Sequence, residues 1–184
     1  MCMFRDLRAD EIEVRVAQAT EYGVTLLLYK DARVDMAILD ETVGQDNWQN
    51  KFYEHKGILF CSLGINTNYE LRKGGIADVP DRWIWKDDAG TESNTEAEKG
   101  NASDARKRAG FAWGIGRELY TAPEIKLRLD HLTKLKQVNG KWKCYDAFEV
   151  EGIKIESKRI VGLAIRNTTT GKRCFLWQKE NNDA

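Results

Sequence analysis

Residues 103–120 read SDARKRAGFAWGIGRELY, and this stretch predicts a long helix with two unlike sides. At about 100° per residue, one stripe along such a helix contains only small and apolar side chains, namely Ala105, Ala109, Ala112, Gly116 and Leu119. Alanine and glycine on the stripe allow the helix axis to lie close to a β-sheet. The basic side chains lie off the stripe, at Arg106, Lys107, Arg108 and Arg117. The pattern therefore favours a helix that packs on one side and presents cations on the other.

The three consecutive cations Arg106, Lys107 and Arg108, here called the basic trio, have two interpretations. Runs of charge are usually solvated faces, and the neighbouring acids Glu96, Glu98 and Asp104 offer ion pairs. The alternative is an anion-binding surface, because the backbone dipole of a helix that starts nearby favours negative charge at its N-terminal end. Composition alone leaves both interpretations open.

The chain before this helix predicts alternating helices and strands. A short helix over 11–19 has Asp10 at a suitable N-cap position. Residues 24–30, VTLLLYK, form an apolar run of strand length. Residues 31–44 have helical spacing, and Gly44 suits the C-terminal end of that helix.

The middle of the chain predicts strands followed by a polar loop. Residues 47–68 indicate two strands that turn near Lys56 and Gly57, and another short strand is expected around 83–85. Residues 87–103 are polar and acidic, which is typical of an exposed loop leading into a helix. Ser93 with Glu96 fits a capping box at a helix start, and Asn101 with Asp104 offers a second possible start.

The C-terminal part predicts β-structure from Ile125 onwards, with an Asn139-Gly140 hairpin turn. Together the elements predict a single α+β domain over 1–184. We expect an antiparallel β-sheet, a long helix packed across it and a C-terminal β-meander that forms a β-rich extension over 125–178.

Overall charge restricts the possible functions. Lysine plus arginine and aspartate plus glutamate number 29 each, so the net charge is zero. A protein that coats nucleic acid through bulk electrostatics is normally basic, so such a role here requires a local basic groove. The two histidines and four scattered cysteines make a zinc site improbable, and we expect reduced thiols, no metal and no cofactor. No membrane span or secretory leader is expected, which favours the cytoplasm.

Three stretches of the sequence resemble the Rad-fifty-two family of single-strand annealing proteins, above all its short phage and prophage members of the Sak type. The stretches are IEVRVAQA, ARVDMAILDETVGQDNWQ and EAEKGNASDARKRAGFAWGIGRELY. They occur in the same order as in the family and span about residues 10–121, the expected annealing core. The resemblance implies a β-β-β-α core and protomers that assemble into rings of about eleven subunits. It also implies single-stranded DNA in a basic groove, in the bacterial host cytoplasm, with a single-strand binding protein as a further candidate partner.

The resemblance also implies DNA-binding residues. Lys107 and Arg108 look like the paired groove cations, and Arg15 is expected opposite them. The sequence departs from some relatives at Phe111, where they carry another groove arginine. Further candidates are Arg106 or Arg117 in place of that arginine, Lys56 and the weaker Lys99 at an outer DNA site, and Arg33, for which a structural role is favoured.

The expected function is ATP-independent binding and annealing of single-stranded DNA in phage or prophage recombination and repair, by a protein that is not an enzyme. Two alternatives remain open. One is a Mg²⁺-dependent nuclease that uses the acidic residues of 78–98. The other is a non-catalytic oligomeric scaffold that binds an acidic partner. Among the aromatic residues, Trp48 and Trp113 are expected in the core, and Trp83 and Trp85 in the core or at a protomer interface.

Overall fold

The computed structural model describes residues 4–76, 79–90 and 97–179, with side chains described from residue 100 onwards in the last range. The strands are β1 (Glu13–Thr20), β2 (Gly23–Tyr29), β3 (Trp48–His55), β4 (Ile58–Asn66), β5 (Trp83–Ala89), β6 (Ile125–Arg128), β7 (Leu135–Val138), β8 (Lys141–Cys144), β9 (Phe148–Glu156), β10 (Arg159–Asn167) and β11 (Lys172–Gln178). The α-helices are α1 (Ala32–Val43), α2 (Tyr69–Lys73) and α3 (Ala97–Trp113). The fold is α+β, as predicted, and the strand pairs of the described residues are antiparallel.

The chain divides into two compact units, each named here after its largest sheet. The three-stranded unit contains residues 1–5 and 31–116, with the sheet β3-β4-β5. The six-stranded unit contains residues 6–30 and 117–184, with the sheet β11-β10-β9-β1-β2-β6 and the separate two-stranded ribbon β7-β8. The predicted single domain stays a prediction.

In the three-stranded unit, α3 covers one face of the sheet. Cys61, Leu63 and Ile65 alternate along β4 and are at most 1% exposed, as expected for side chains that share one face of a strand. Ala105 and Ala109 of α3 are fully buried. Their small side chains allow the helix backbone to approach the sheet closely, as the sequence predicts for the start of the stripe.

The end of α3 differs from the prediction. The helix ends at Trp113, because Gly114 and Gly116 adopt left-handed φ angles of 98° and 73° that a helix does not contain. Arg117 and Leu119 consequently lie in a separate 3₁₀ helix, Arg117–Thr121, which belongs to the six-stranded unit. The predicted continuous helix to Tyr120 is therefore wrong. At the other end, α3 already includes Ala97, so the start at Asn101 is also wrong, and the Ser93–Glu96 box lies outside the described residues.

The helix α1 and the β3-β4 hairpin of this unit match their predictions. α1 begins after Asp31, whose carboxylate accepts a hydrogen bond from the Arg33 amide at 2.7 Å, and it ends at Gly44. β3 and β4 form a hairpin that turns at Lys56 and Gly57. The short helix α2 was not predicted.

The predicted helix over 11–19 is wrong, because these residues form a short turn and a strand. Asp10 lies within the 3₁₀ turn Ala9–Glu11, and β1 follows. Along β1, half-buried Val14 and Val16 alternate with exposed residues, and the strand pairs with β2 over most of its length. β-Branched residues in alternation favour a strand, and this pattern prevails over the helical spacing.

The C-terminal strands are part of the large sheet, and this corrects the prediction of a separate β-meander. β9, β10 and β11 pair in chain order, but β9 also pairs with β1 through Glu13 and Glu149. β6 pairs with β2 at the far edge. The Asn139-Gly140 turn between β7 and β8 is confirmed.

The thiols of the described cysteines are free, at Cys61, Cys144 and Cys174. Burial raises the pKa of Cys61 and of Cys174 to about 11. None of the helices in the described ranges has the length and apolar composition needed to cross a membrane.

Asp146 clamps the base of the β7-β8 ribbon, and we expect this clamp to depend on pH. Its carboxylate accepts hydrogen bonds from the Thr133 hydroxyl at 2.6 Å, the Thr133 amide at 2.9 Å and the Lys134 amide at 3.0 Å. Burial opposes ionisation, but these bonds outweigh it and lower the pKa of Asp146 to about 2. Because an unfolded aspartate has a pKa of about 3.9, the ionised form stabilises the fold above that pH, and the contribution is lost as pH falls towards 2.

Asp146→Asn is therefore expected to lower the free energy of unfolding by roughly 2 kcal/mol at neutral pH and by much less near the folded pKa. Urea unfolding of both proteins across this pH range measures the difference. A difference that stays constant with pH would contradict the assignment of the stabilisation to the carboxylate charge.

Candidate nucleic-acid interface

The packing of α3 on its sheet decides where each member of the basic trio points. Ala105 and Ala109 face the sheet. Arg106 lies on the β3 side of the helix, since its guanidinium is 5.5 Å from the ring centroid of Phe52. Arg108 lies on the β5 side, where its Nε donates to the carbonyl oxygen of Ala89 at 2.9 Å. Lys107, between the two in sequence, points away from the buried stripe.

Within the basic trio, Arg106 contacts side chains of two neighbouring elements, β3 and α1. Besides lying over Phe52, its Nη1 contacts the Met36 sulfur of α1 at 3.4 Å. Its Nε is buried and has no hydrogen-bond partner among the described residues. No ion pair joins Arg106 to a carboxylate in the described part of the chain. This arginine therefore connects α1, β3 and α3, and no carboxylate of the described residues pairs with its charge.

Lys107 and Arg33 come together at the N-terminus of α1. Asp31 has a lowered pKa, mainly because its carboxylate accepts from the Arg33 amide, and the charges of Arg33 and Lys107 lower it further. The Arg33 side chain is 88% exposed, and its Nε lies 3.3 Å from the Asp31 carboxylate. Lys107 forms no ion pair within the described ranges. Arg33 and Lys107 thus share the carboxylate of Asp31, so a net positive charge remains. It lies at the N-terminus of α1, where the helix dipole is also positive.

Arg108 is fixed at the end of β5. In addition to its bond to Ala89, its Nε lies 4.0 Å from Asp88 and 3.9 Å from Asp104. Its side chain is 36% exposed. The two carboxylates are too distant for good hydrogen bonds and reduce the local charge only in part. Arg108 therefore presents a positioned guanidinium edge beside the helix.

Lys56 lies at the same end of the three-stranded sheet as Arg108. Ala89, which anchors Arg108, pairs with Phe60 near the start of β4, and the β3-β4 turn containing Lys56 comes directly before that strand. Lys56 is exposed and makes no ion pair with any residue that the structure describes. Lys99 lies in α3, but its side chain is outside the described part.

The remaining candidates, Arg15 and Arg117, belong to the six-stranded unit. Arg15 is exposed on β1, where its Nε donates to Glu13 at 3.0 Å and its guanidinium lies 5.2 Å from the Tyr29 ring centroid. Arg117 is exposed but lies in the 3₁₀ helix after α3, so its predicted placement on that helix is wrong, and its role in DNA binding stays a prediction. The convergence of Arg15 with Lys107 and Arg108 stays a prediction.

Among the acidic residues of the alternative nuclease site, the described ones have other partners. Asp81 accepts from the Asn66 amide at 2.9 Å and pairs with Arg72, while Asp87 accepts from the Tyr53 hydroxyl at 2.9 Å. Within the described ranges, no group of three or more His, Cys, Asp or Glu side chains is placed to hold a metal ion. Four acids of 78–98 lie outside the described side chains, at Asp78, Glu92, Glu96 and Glu98.

The sheet face opposite α3 carries a cluster of aromatic rings, here called the aromatic face: Tyr53, Phe60, Trp83 and Trp85. Tyr53 and Phe60 stack with ring centroids 5.3 Å apart, and Trp83 and Trp85 stack at 6.0 Å. Lys51 lies over Trp85 at 4.4 Å. The four rings are half-buried or exposed. The sequence predicts the shared face of the two tryptophans, but the rings supplied by β3 and β4 were missed because they depend on strand register.

Trp48 and Trp113 are less buried than a core position implies. Both are half-buried, and each indole N–H has a partner: Asp40 at 2.6 Å for Trp48, and the Leu63 carbonyl at 2.9 Å for Trp113. These hydrogen bonds fix α1 to β3 and the end of α3 to β4.

Comparison with known proteins identifies one family. The model of the Rad52/22 family of double-strand break repair proteins matches residues 3–138, which include the basic trio, Arg15, Arg33 and Lys56. Neither the curated proteins nor the solved structures contain a significant match to the chain. Since the matched region covers well over half of the sequence, the protein belongs to the Rad52/22 family of double-strand break repair proteins.

Proposed function

We propose that the protein binds single-stranded DNA and anneals complementary strands without ATP, as a step of recombination and double-strand break repair. The observation that carries the proposal is the positive charge around α3 that the described carboxylates compensate only in part, since Lys107 and Arg33 share the single carboxylate of Asp31. The whole chain has zero net charge, but Arg33, Lys107 and Arg108 lie close together around α3. Membership of the Rad52/22 family supports DNA as the anion.

The proposed mechanism needs binding groups and no bond-making residue. Lys107, Arg33 and Arg108 hold phosphates, and Arg15 and Lys56 supply further contacts. Phosphate contacts carry no sequence information, so any strand is accepted, and the base edges stay free to test a partner strand. Binding is strong enough to open weak secondary structure in the strand but reversible enough to release the duplex product. The energy of annealing comes from base pairing, which is why no nucleotide is hydrolysed.

Self-association completes the proposal. A few cations on one protomer bind a strand weakly, whereas a ring repeats the same cations and gains affinity through multivalency. We assign the aromatic face to the contact between copies of the chain, because large, partly exposed rings are typical of such interfaces. A ring of about eleven subunits, a phage or prophage origin of the Sak type and a single-strand binding protein as a further partner belong to the same proposal.

Replacing both tryptophans of the aromatic face is expected to reduce assembly. In Trp83→Ala/Trp85→Ala the stacked pair is lost, and with it the largest apolar area that a second copy would cover. Native mass spectrometry is expected to show mostly monomers or small oligomers at concentrations where the wild type forms its full assembly. Tyr22→Ala, which removes a 77% exposed ring in the six-stranded unit, serves as the control. An unchanged mass distribution for the double variant would remove the assignment.

A mobility-shift experiment with a single-stranded oligonucleotide tests the binding step. We expect a shift without ATP or metal that weakens as salt increases. Addition of Mg²⁺ is expected to leave an end-labelled strand intact. Shortened products would support the nuclease alternative, and the absence of any shift would support a scaffold that binds another partner.

A further inference from the structure

The β7-β8 ribbon of the six-stranded unit carries a second cluster of cations that the proposed function does not use. Its register places Lys136 directly opposite Lys143, and Val138 opposite Lys141. At the base, the Tyr145 amide donates to the Lys134 carbonyl at 3.0 Å. Because side chains alternate across a strand, one face of the ribbon carries Lys134, Lys136, Val138, Lys141, Lys143 and Tyr145. We call this the lysine face.

None of the lysine side chains on the lysine face pairs with an acid among the described residues. Its four lysines are exposed, and none forms an ion pair within the described ranges. Other lysines of the same unit do find partners, such as Lys126 with Glu124 and Lys154 with Glu156, each at 2.7 Å. Lys136 and Lys143 also form a like-charge pair directly across two strands, which destabilises a ribbon. Such an arrangement is disfavoured for folding alone and favours the binding of a polyanion.

The ribbon packs on the rest of the unit through its other face, which leaves the lysine face exposed. The opposite face of the ribbon contains half-buried Leu135, Trp142 and Cys144, and β8 packs against β1. The base is clamped by Asp146 through its bonds to Thr133 and Lys134. The four ammonium groups are therefore presented from a backbone that packing and hydrogen bonds hold in place.

A ring lies beside the lysines. Lys134, Lys136, Val138 and Tyr145 line a shallow depression of about 310 Å³, and Tyr145 is 54% exposed. An exposed ring next to cations is the arrangement with which proteins stack a base while holding the adjoining phosphates. A base is available for stacking only where it is unpaired, so the depression favours a single strand over a duplex.

We propose that the lysine face of the β7-β8 ribbon is a binding surface for single-stranded nucleic acid, with phosphates on the four lysines and a base on Tyr145. The choice of nucleic acid as the polyanion rests on the proposed function, and the surface itself rests on the ribbon. Lysines act as point charges on phosphate and read no sequence, which fits a strand of any composition. A second surface of this kind gives an annealing protein a place for a strand other than the one on α3.

Fluorescence anisotropy with labelled oligothymidylate, measured over a range of salt concentrations, tests the proposal on the full chain. Lys136→Gln/Lys143→Gln is expected to weaken binding about tenfold and to reduce the slope of log affinity against log salt by about 1.4, or 0.7 for each lost phosphate contact. Lys126→Gln/Lys154→Gln removes the same charge from paired lysines and is expected to change neither quantity. Tyr145→Ala is expected to weaken binding of the oligothymidylate about fivefold without affecting a duplex.

A charge reversal separates binding from folding. Lys143→Glu places a carboxylate opposite Lys136 and replaces repulsion with attraction. Its melting temperature is expected to be unchanged or raised while its affinity for oligothymidylate falls. A loss of affinity with a lowered melting temperature in this variant would attribute the effect to unfolding and count against the surface.

The remaining outcomes distinguish the two proposals. If Lys136→Gln/Lys143→Gln binds as the wild type does while Lys107→Ala/Arg108→Ala is impaired, the lysine face is overturned and the proposed function stands. If the wild type binds no oligothymidylate even at low salt, both are overturned. If the lysine substitutions abolish retention on anionic phospholipid vesicles or polyglutamate but leave DNA affinity unchanged, the lysines serve another polyanion and the proposal is wrong.

Discussion

Lys107→Ala/Arg108→Ala is expected to weaken the binding of a single-stranded oligonucleotide at least tenfold at about 0.1 M salt. Lys107 lies near Asp31 but makes no ion pair among the described residues, and Arg108 has only distant carboxylates, so both charges are available to phosphates. Losing two phosphate contacts is expected to reduce the slope of log affinity against log salt by about 1.4. In an assembly the loss repeats in every protomer, so the effect on affinity is larger than for one isolated site.

A matched control separates this site from general charge. Lys154→Ala/Arg173→Ala also removes one lysine and one arginine, but these side chains pair with Glu156 and Glu151 in the six-stranded sheet. We expect its affinity and salt dependence to equal those of the wild type. Equal losses in the two double variants would mean that net charge, and not the surface around α3, governs binding. Circular dichroism checks that both variants fold.

Gly23→Ala is expected to destabilise the six-stranded unit by about 3 kcal/mol or more. A Cβ on Gly23 would lie 2.0 Å from the Leu127 carbonyl oxygen, which is backbone and cannot rotate aside. Gly23 also has a φ of 148°, which an alanine rarely adopts. The substitution therefore pushes β6 away from β2 at the position where Gly23 pairs with Arg128. Hydrogen exchange of the β2 and β6 amides, together with urea unfolding, measures the effect.

Gly140→Ala provides the comparison for this prediction. Gly140 also has a left-handed φ, of 74°, but a Cβ there would meet no atom within 4 Å. Only the backbone strain remains, and we expect the free energy of unfolding to fall by about 1 kcal/mol. If Gly23→Ala were no more destabilising than Gly140→Ala, the close approach of β2 and β6 would be contradicted.

Local signals in the sequence predicted the elements whose ends are fixed by their own residues. α1 was predicted from its helical spacing and from Gly44, which ends it, and the β3-β4 hairpin from Lys56 and Gly57 at its turn. The strand β1 was missed for a physical reason. The spacing of apolar residues in 11–19 fits both a helix and a strand. Pairing with β2 selects the strand, and the local sequence does not reveal that pairing.

The sequence predicted some features of the basic site around α3 and missed others. Helical geometry is sufficient to place Arg106 and Arg108 on opposite flanks of α3 with Lys107 between them. The proximity of Lys107 and Arg33 to Asp31 depends on the packing of α1 near α3, which no local pattern reports. The lysine face did have a sequence signal, since lysine recurs at alternate positions on both sides of the Asn139-Gly140 turn.

An annealing time course with two complementary strands carrying a donor and an acceptor dye, in EDTA and without nucleotide, tests the central claim most directly. We predict that the wild type accelerates the rise in energy transfer well above the spontaneous rate, that Lys154→Ala/Arg173→Ala does the same, and that Lys107→Ala/Arg108→Ala does not. A wild-type rate equal to the spontaneous one, or full acceleration by Lys107→Ala/Arg108→Ala, would contradict the account.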